Sequence, residues 1–151
     1  MQDQCVFMHT GRSDRVGCKQ RERRQVGKER DLATPNALFI GWGPVITGRE
    51  TVSFQVFAEA IQYFAGLQQH GEIESFEPIA LEWHGGELTG FLLIRGDGSK
   101  LQHLRYSDEF IRIIDRGASV VQDFGVVSGW TGESVQHLFD ALQRNTQDLT
   151  S

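Results

Sequence analysis

Two residues near the middle of the chain, Glu82 and His84, have the types and spacing of a general base with its tuning carboxylate. On an extended strand, residues two apart point the same way, so a carboxylate there lies beside the imidazole. A histidine so placed suits proton abstraction or delivery. A solvated turn histidine has the same local sequence, because Gly85-Gly86 follows at once. A second set, Phe39, Gly41, Gly43, Val127 and Gly129, falls on one phase of two apolar runs. Small residues alternating on a sheet face leave room for a bound molecule, or else permit twist and close subunit packing.

Other constellations are thinner. Gly96-Asp97-Gly98-Ser99-Lys100 follows an apolar run as a phosphate loop would, but the P-loop spacing is missing and Asp97 is acidic, so it reads as a plain turn. Cys5, His9 and Cys18 offer three metal ligands with no evident fourth, short of a tetrahedral zinc site. No HExxH, HxH or paired-cysteine pattern occurs, nor a Gly-x-Ser-x-Gly elbow. No metal or cofactor is called for.

These residues need elements to position them. Ile79–Trp83 and Phe91–Ile94 flank Gly85-Gly86, which predicts a tight antiparallel hairpin. Ala37–Trp42 reads as a first strand and Phe124–Trp130 as a fourth. Between them, Phe54, Phe57, Ile61 and Phe64 recur at helical spacing, with Val56, Ala60 and Leu67 widening the stripe, predicting a helix over 50–69 whose phenylalanines are core. Thr47-Gly48-Arg49-Glu50 has the form of a capping box at its start. Leu101 and Leu104 suggest a short helical turn. Ser107-Asp108-Glu109 opens another helix, with Phe110, Ile113, Ile114, Gly117 and Val121 as its buried stripe. Thr131-Gly132-Glu133 opens a last one with Val135, Leu138, Phe139 and Leu142 on one face.

The order is β-α-β-β-α-β plus a C-terminal helix, an α+β chain of ferredoxin-like form with a four-stranded antiparallel sheet. Strand alternation assigns the bulky set (Leu38, Ile40, Trp42, Ile79, Leu81, Trp83, Val126) to the helix side. The third strand is apolar on both sides, Phe91 and Leu93 against Leu92 and Ile94, which predicts cover on both faces and hence a homodimer.

The chain of 151 residues suits one such domain, at 35–145, with a polar tail at 146–151 expected to fray. Residues 1–34 carry eight Lys/Arg against five Asp/Glu, and the remainder carries seven against fifteen. A basic arm, expected to be disordered and dispensable for the fold, thus precedes an acidic domain. The acidic balance speaks against nucleic acid as a partner. Both cysteines fall in the arm, which fits a reducing cytoplasm. No apolar run approaches the roughly 20 residues of a membrane span.

Across residues 37–130 the chain resembles the dimeric α/β-barrel proteins, a group that includes small cofactor-independent monooxygenases, and most nearly the YCII-related proteins. The likeness rests on Gly71-Glu72-Ile73, on Gly86-Glu87-Leu88-Thr89-Gly90-Phe91-Leu92-Leu93-Ile94 and on Ser107-Asp108-Glu109-Phe110. The resemblance implies a dimer and places Asp108 at that family's acidic position. The family's partner histidine on the first helix has no counterpart between Phe54 and Gly66. Three functions stay open: a small-molecule-binding dimer with its pocket on the glycine-lined face, a cofactor-independent monooxygenase or isomerase using His84, and a protein interaction module.

Overall fold

The computed structural model describes residues 34–149, so the basic arm and its Cys5, His9 and Cys18 lie outside the described residues. Strand β1 (Ala37–Trp42) leads through a crossover loop to helix α1 (Glu50–Gln69). Strands β2 (Ser75–Ala80) and β3 (Gly90–Arg95) follow, then helices α2 (Gly98–Arg105) and α3 (Asp108–Ala118). Strand β4 (Gly125–Gly129), helix α4 (Glu133–Thr146) and a 3₁₀ turn over Gln147–Leu149 complete the chain. The four strands lie in the order β2-β3-β1-β4, each antiparallel to its neighbours. This is the ferredoxin-like arrangement, with α2 and α4 added. No helix among the described residues is long and apolar enough to cross a membrane.

Leu38 and Ile40 of β1 lie opposite Ile94 and Leu92 of β3, and all four are buried beneath the helices. Phe64 of α1 is fully enclosed and meets Phe110 of α3 edge-on, with ring centroids 6.3 Å apart. Each helix ends where its chemistry dictates. Gly71, at φ +71°, stops α1 as only glycine does without strain. Asp97 caps α2 by accepting from the Lys100 amide at 3.1 Å, and Ser107 caps α3 through the Phe110 amide. The glycine-rich turn at 96–100 is therefore a helix start, and Lys100 Nζ is drawn to the Gly71 carbonyl, 3.1 Å away.

Several expectations need correction. β2 and β3 do pair, but the connection is the long loop 81–89 rather than a tight Gly-Gly turn. Ile79 lies opposite Phe91 and Pro78 opposite Leu92, so β2 has the reverse phase to the one predicted. Ile79 faces away from the helices, and Phe76 packs toward them, 6.0 Å from Phe64. Leu81 and Trp83 lie beyond the strand, and Trp83 is 97% exposed. The predicted capping box does not form either: Arg49 occupies the cap without a side-chain bond, and Glu50 accepts from the Gly48 amide at 3.1 Å. On α1 the buried residues are Val56 and Phe64, with Ala60, Ile61 and Leu67 packed against the core, all of them within the expected stripe. Phe54 is left 77% exposed.

The sheet face away from α1 and α3 carries Phe39, Phe91, Leu93 and Val127. Phe39 and Phe91 stack with centroids 4.9 Å apart, and Val127 is mostly exposed. Helix α4 buries none of its residues, and its stripe leaves Phe139 and Leu142 at least half exposed.

Candidate functional site

The feature best suited to hold a molecule lies between α1, α3 and the sheet. Its top is closed by two loops laced together. Gly43 N–H donates to Gln122 O, and Gln122 N–H donates to Pro44 O, each at 2.8 Å, while Ile46 N–H donates to Val120 O at 2.9 Å. Gly43 has to be glycine for this: a Cβ would stand 2.9 Å from the Gln122 carbonyl and 3.1 Å from that of Glu87. Arg49 extends the lacing to the end of α3 through the Ser119 carbonyl, at 2.8 Å. Lower down, Arg116 of α3 grips Glu59 of α1 with two parallel bonds of 2.7 and 2.9 Å. The guanidinium hydrogen bonds hold the Glu59 carboxyl below the usual carboxylate range, against an opposing effect of desolvation.

Behind this clasp the helices leave a cavity of about 240 Å³. Its walls include Trp42, Phe54, Phe57, Ile113 and Phe124. Trp42 and Phe57 meet edge-on at 5.9 Å. Small residues border it on both helices, Ala60 on α1 and Gly117 on α3, with the Phe124 ring packed over the glycine. Among the described residues no ionisable side chain lines it, and the hydroxyls present are Ser53 and Thr89. Ser53 Oγ donates to the Glu50 carbonyl at 2.7 Å, so its proton is already committed to the helix. Phe54, on the wall yet mostly in solvent, marks the open side. Such a lining excludes a charged occupant from the interior, because an ion there would lose its hydration with no partner.

The residues singled out from sequence are dispersed. Glu82 and His84 are both exposed in the loop 81–89. His84 Nε2 donates to the Leu88 carbonyl at 2.7 Å, and Nδ1 accepts from the Gly86 amide at 3.3 Å. That pairing selects the neutral tautomer with its proton on Nε2 and uses the ring to shape the loop. Phe39, Gly41, Val127 and Gly129 do share the open sheet face, Phe39 opposite Val127. Above Gly41, however, the Phe39 ring and the Leu88 side chain occupy the space, 2.7 and 3.1 Å from where a Cβ would be. Of that set only Gly43 borders the cavity. Asp108 is exposed in the first turn of α3, where a negative charge favours the helix dipole. Among the described residues no group of three or more His, Cys, Asp or Glu is arranged to hold a metal.

Sequence reasoning missed Ala60 as a wall of the site, the Glu59–Arg116 clasp and Asn36. The Asn36 amide donates to Thr131 O at 3.2 Å and accepts from Thr131 N–H at 2.8 Å, tying the start of β1 to the segment entering α4. Gly117 within an otherwise apolar helix stripe was one readable signal of the cavity, since helix interiors disfavour glycine.

No protein-family model matches this chain, and no curated protein matches it. Among solved structures it is similar to a crystal structure described as a dimeric protein of unknown function and ferredoxin-like fold from Bacteroides fragilis NCTC 9343. The two align with a TM-score of 0.47 at 15% identity, over 63% of this chain and 95% of that one.

Proposed function

We propose that this protein is a binder of a small, largely apolar molecule, held in the cleft between α1 and α3, and that it works as a homodimer in the cytoplasm. The observation that carries the reading is the 240 Å³ cavity with an uncharged, largely aromatic wall. Binding sites for small molecules are concave and mostly apolar, with few polar groups, and this cleft has that character. The described residues along its wall are apolar apart from Ser53 and Thr89, which supports binding ahead of acid–base catalysis. The glycine-lined sheet face serves better as a subunit contact, because Phe39, Phe91, Leu93 and Val127 form an apolar surface there. The resemblance of the Gly86–Ile94 stretch and Asp108 to the YCII-related proteins supports this assembly.

A thermal-shift screen against small apolar compounds tests the binding. A ligand at one hundred times its dissociation constant adds about 2.7 kcal/mol to stability and raises the unfolding temperature by several degrees. Ala60→Met, which fills the cleft, should remove the shift while leaving the protein folded. A shift that survives the filled cleft places the ligand elsewhere and overturns the reading. Sedimentation at micromolar concentration tests the assembly: a species of 17.0 kDa, the mass of one chain, counts against the dimer.

A further inference from the structure

We infer that the cleft selects an uncharged, flat, fused-ring aromatic molecule over an aliphatic chain or an aromatic acid; this rests on the cleft being a binding site at all. Size is the first ground. An apolar cavity of about 150 Å³ accepts benzene, and 240 Å³ leaves room for a second fused ring. Shape and chemistry are the second. Trp42, Phe54, Phe57, Phe64 and Phe124 all reach the cavity, so a ring entering it meets other rings on several sides. Aromatic pairs gain from edge-to-face or offset contact beyond the area they bury, and a flexible chain does not share that gain. A chain also loses rotamer freedom on being confined, which a fused ring system has already given up.

Phe54 supplies the third ground. A large apolar side chain 77% exposed at the cavity's open side has most of its surface still to bury. A flat ligand seated against Trp42 and Phe57 would present its outer face to that ring. The fourth ground is charge. With no cationic or anionic side chain on the wall among the described residues, and the Ser53 hydroxyl turned to its own helix, a carboxylate inside would be unpaired. A single hydroxyl or ring N–H at the open side meets water or Thr89 and is tolerated.

The experiment uses the full chain and four probes: indole, 2-naphthol, 1-octanol and 2-naphthoate. Dissociation constants come from titration calorimetry, with Ala60→Met and Phe54→Ala alongside the wild type. Indole and 2-naphthol should bind at least about tenfold more tightly than octanol or naphthoate, a tenfold ratio being the smallest that separates classes cleanly. Both should weaken by a similar factor in Phe54→Ala, whose exposed ring is not needed for folding. If octanol or naphthoate binds as tightly as naphthol, and the filled cleft abolishes it, the aromatic selection is wrong while the binding site stands. If none of the four binds, or binding ignores both variants, the inference and the site fall together.

Discussion

Replacing Gly117 by alanine separates a cleft with real free volume from a merely loose contact. Glycine near the end of α3 is unfavourable to the helix, and alanine there should gain up to about 1 kcal/mol. The new Cβ would stand 2.9 Å from Phe124 Cε2 and 3.2 Å from Cζ. Carbon atoms settle at about 3.5 to 4.0 Å, so the ring has to retreat. In a filled core that retreat would cost about 1 to 3 kcal/mol. Phe124, however, borders the 240 Å³ cavity and can swing into it. The remaining cost is a displaced rotamer, about 0.5 to 1.5 kcal/mol. The two contributions nearly cancel, and net stability should stay within about 1 kcal/mol of wild type. Affinity for an apolar probe such as 2-naphthol should fall, because the ring now occupies its place. Urea unfolding with an unchanged m-value reads the first quantity and calorimetry the second. A loss above about 2 kcal/mol, on the scale of overpacking, would mean the ring has nowhere to go. Unchanged affinity in a stable variant would mean that the cleft is not where the probe sits.

Phe64→Ala should cost about 3 to 5 kcal/mol in urea unfolding, because the ring is fully enclosed between α1, α3 and the sheet; a loss below about 1.5 kcal/mol would place it outside the core. Asn36→Ala should cost about 1 to 3 kcal/mol for its two bonds to Thr131. Asn36→Asp should recover little of this, since a carboxylate cannot donate to the Thr131 carbonyl; full recovery would show that only the bond from Thr131 N–H matters. Glu59 has its carboxyl held low by Arg116, so its contribution is complete above the ordinary carboxylate range and is lost as pH falls through the lowered value. Acid unfolding curves should therefore be shallower for Glu59→Gln than for wild type at acidic pH and parallel at neutral pH, and superimposable curves at acidic pH would show that the clasp adds nothing.

What was legible in the sequence follows the range of the interactions that decide it. α1 runs from Glu50 to Gln69 as its apolar period and the His70-Gly71 stop predict, because both signals are local. α3 begins after Ser107 for the same reason. The phase of β2 was not legible, because Leu81, Glu82, Trp83 and His84 alternate as a strand would while no neighbouring strand pairs with them. Phase is set across the sheet, by Ile79 lying opposite Phe91, and Pro78 is tolerated because β2 is the edge strand. Glu82 and His84, placed on a strand by that phase, lie in the loop 81–89 instead.

The cleft was hidden for a different reason. A cleft depends on how helices settle against one another, here with small Ala60 and Gly117 on its walls, and on loops that meet only after folding, such as 43–46 with 120–122. One trace of it was nevertheless present. α1 has more aromatic residues than its core face can bury: Phe64 is enclosed, whereas Phe54 and Phe57 remain exposed at the helix's first turns. Treating every apolar residue in a wide stripe as core assumes that the opposing surface is equally wide. Phe54 and Phe57 border the cleft between α1 and α3, which Gly117 lines from the far side. A stripe wider than the surface it meets, facing a glycine on the next helix, is therefore a sequence signal for a cleft, and on this chain it points to the Phe54 end of α1.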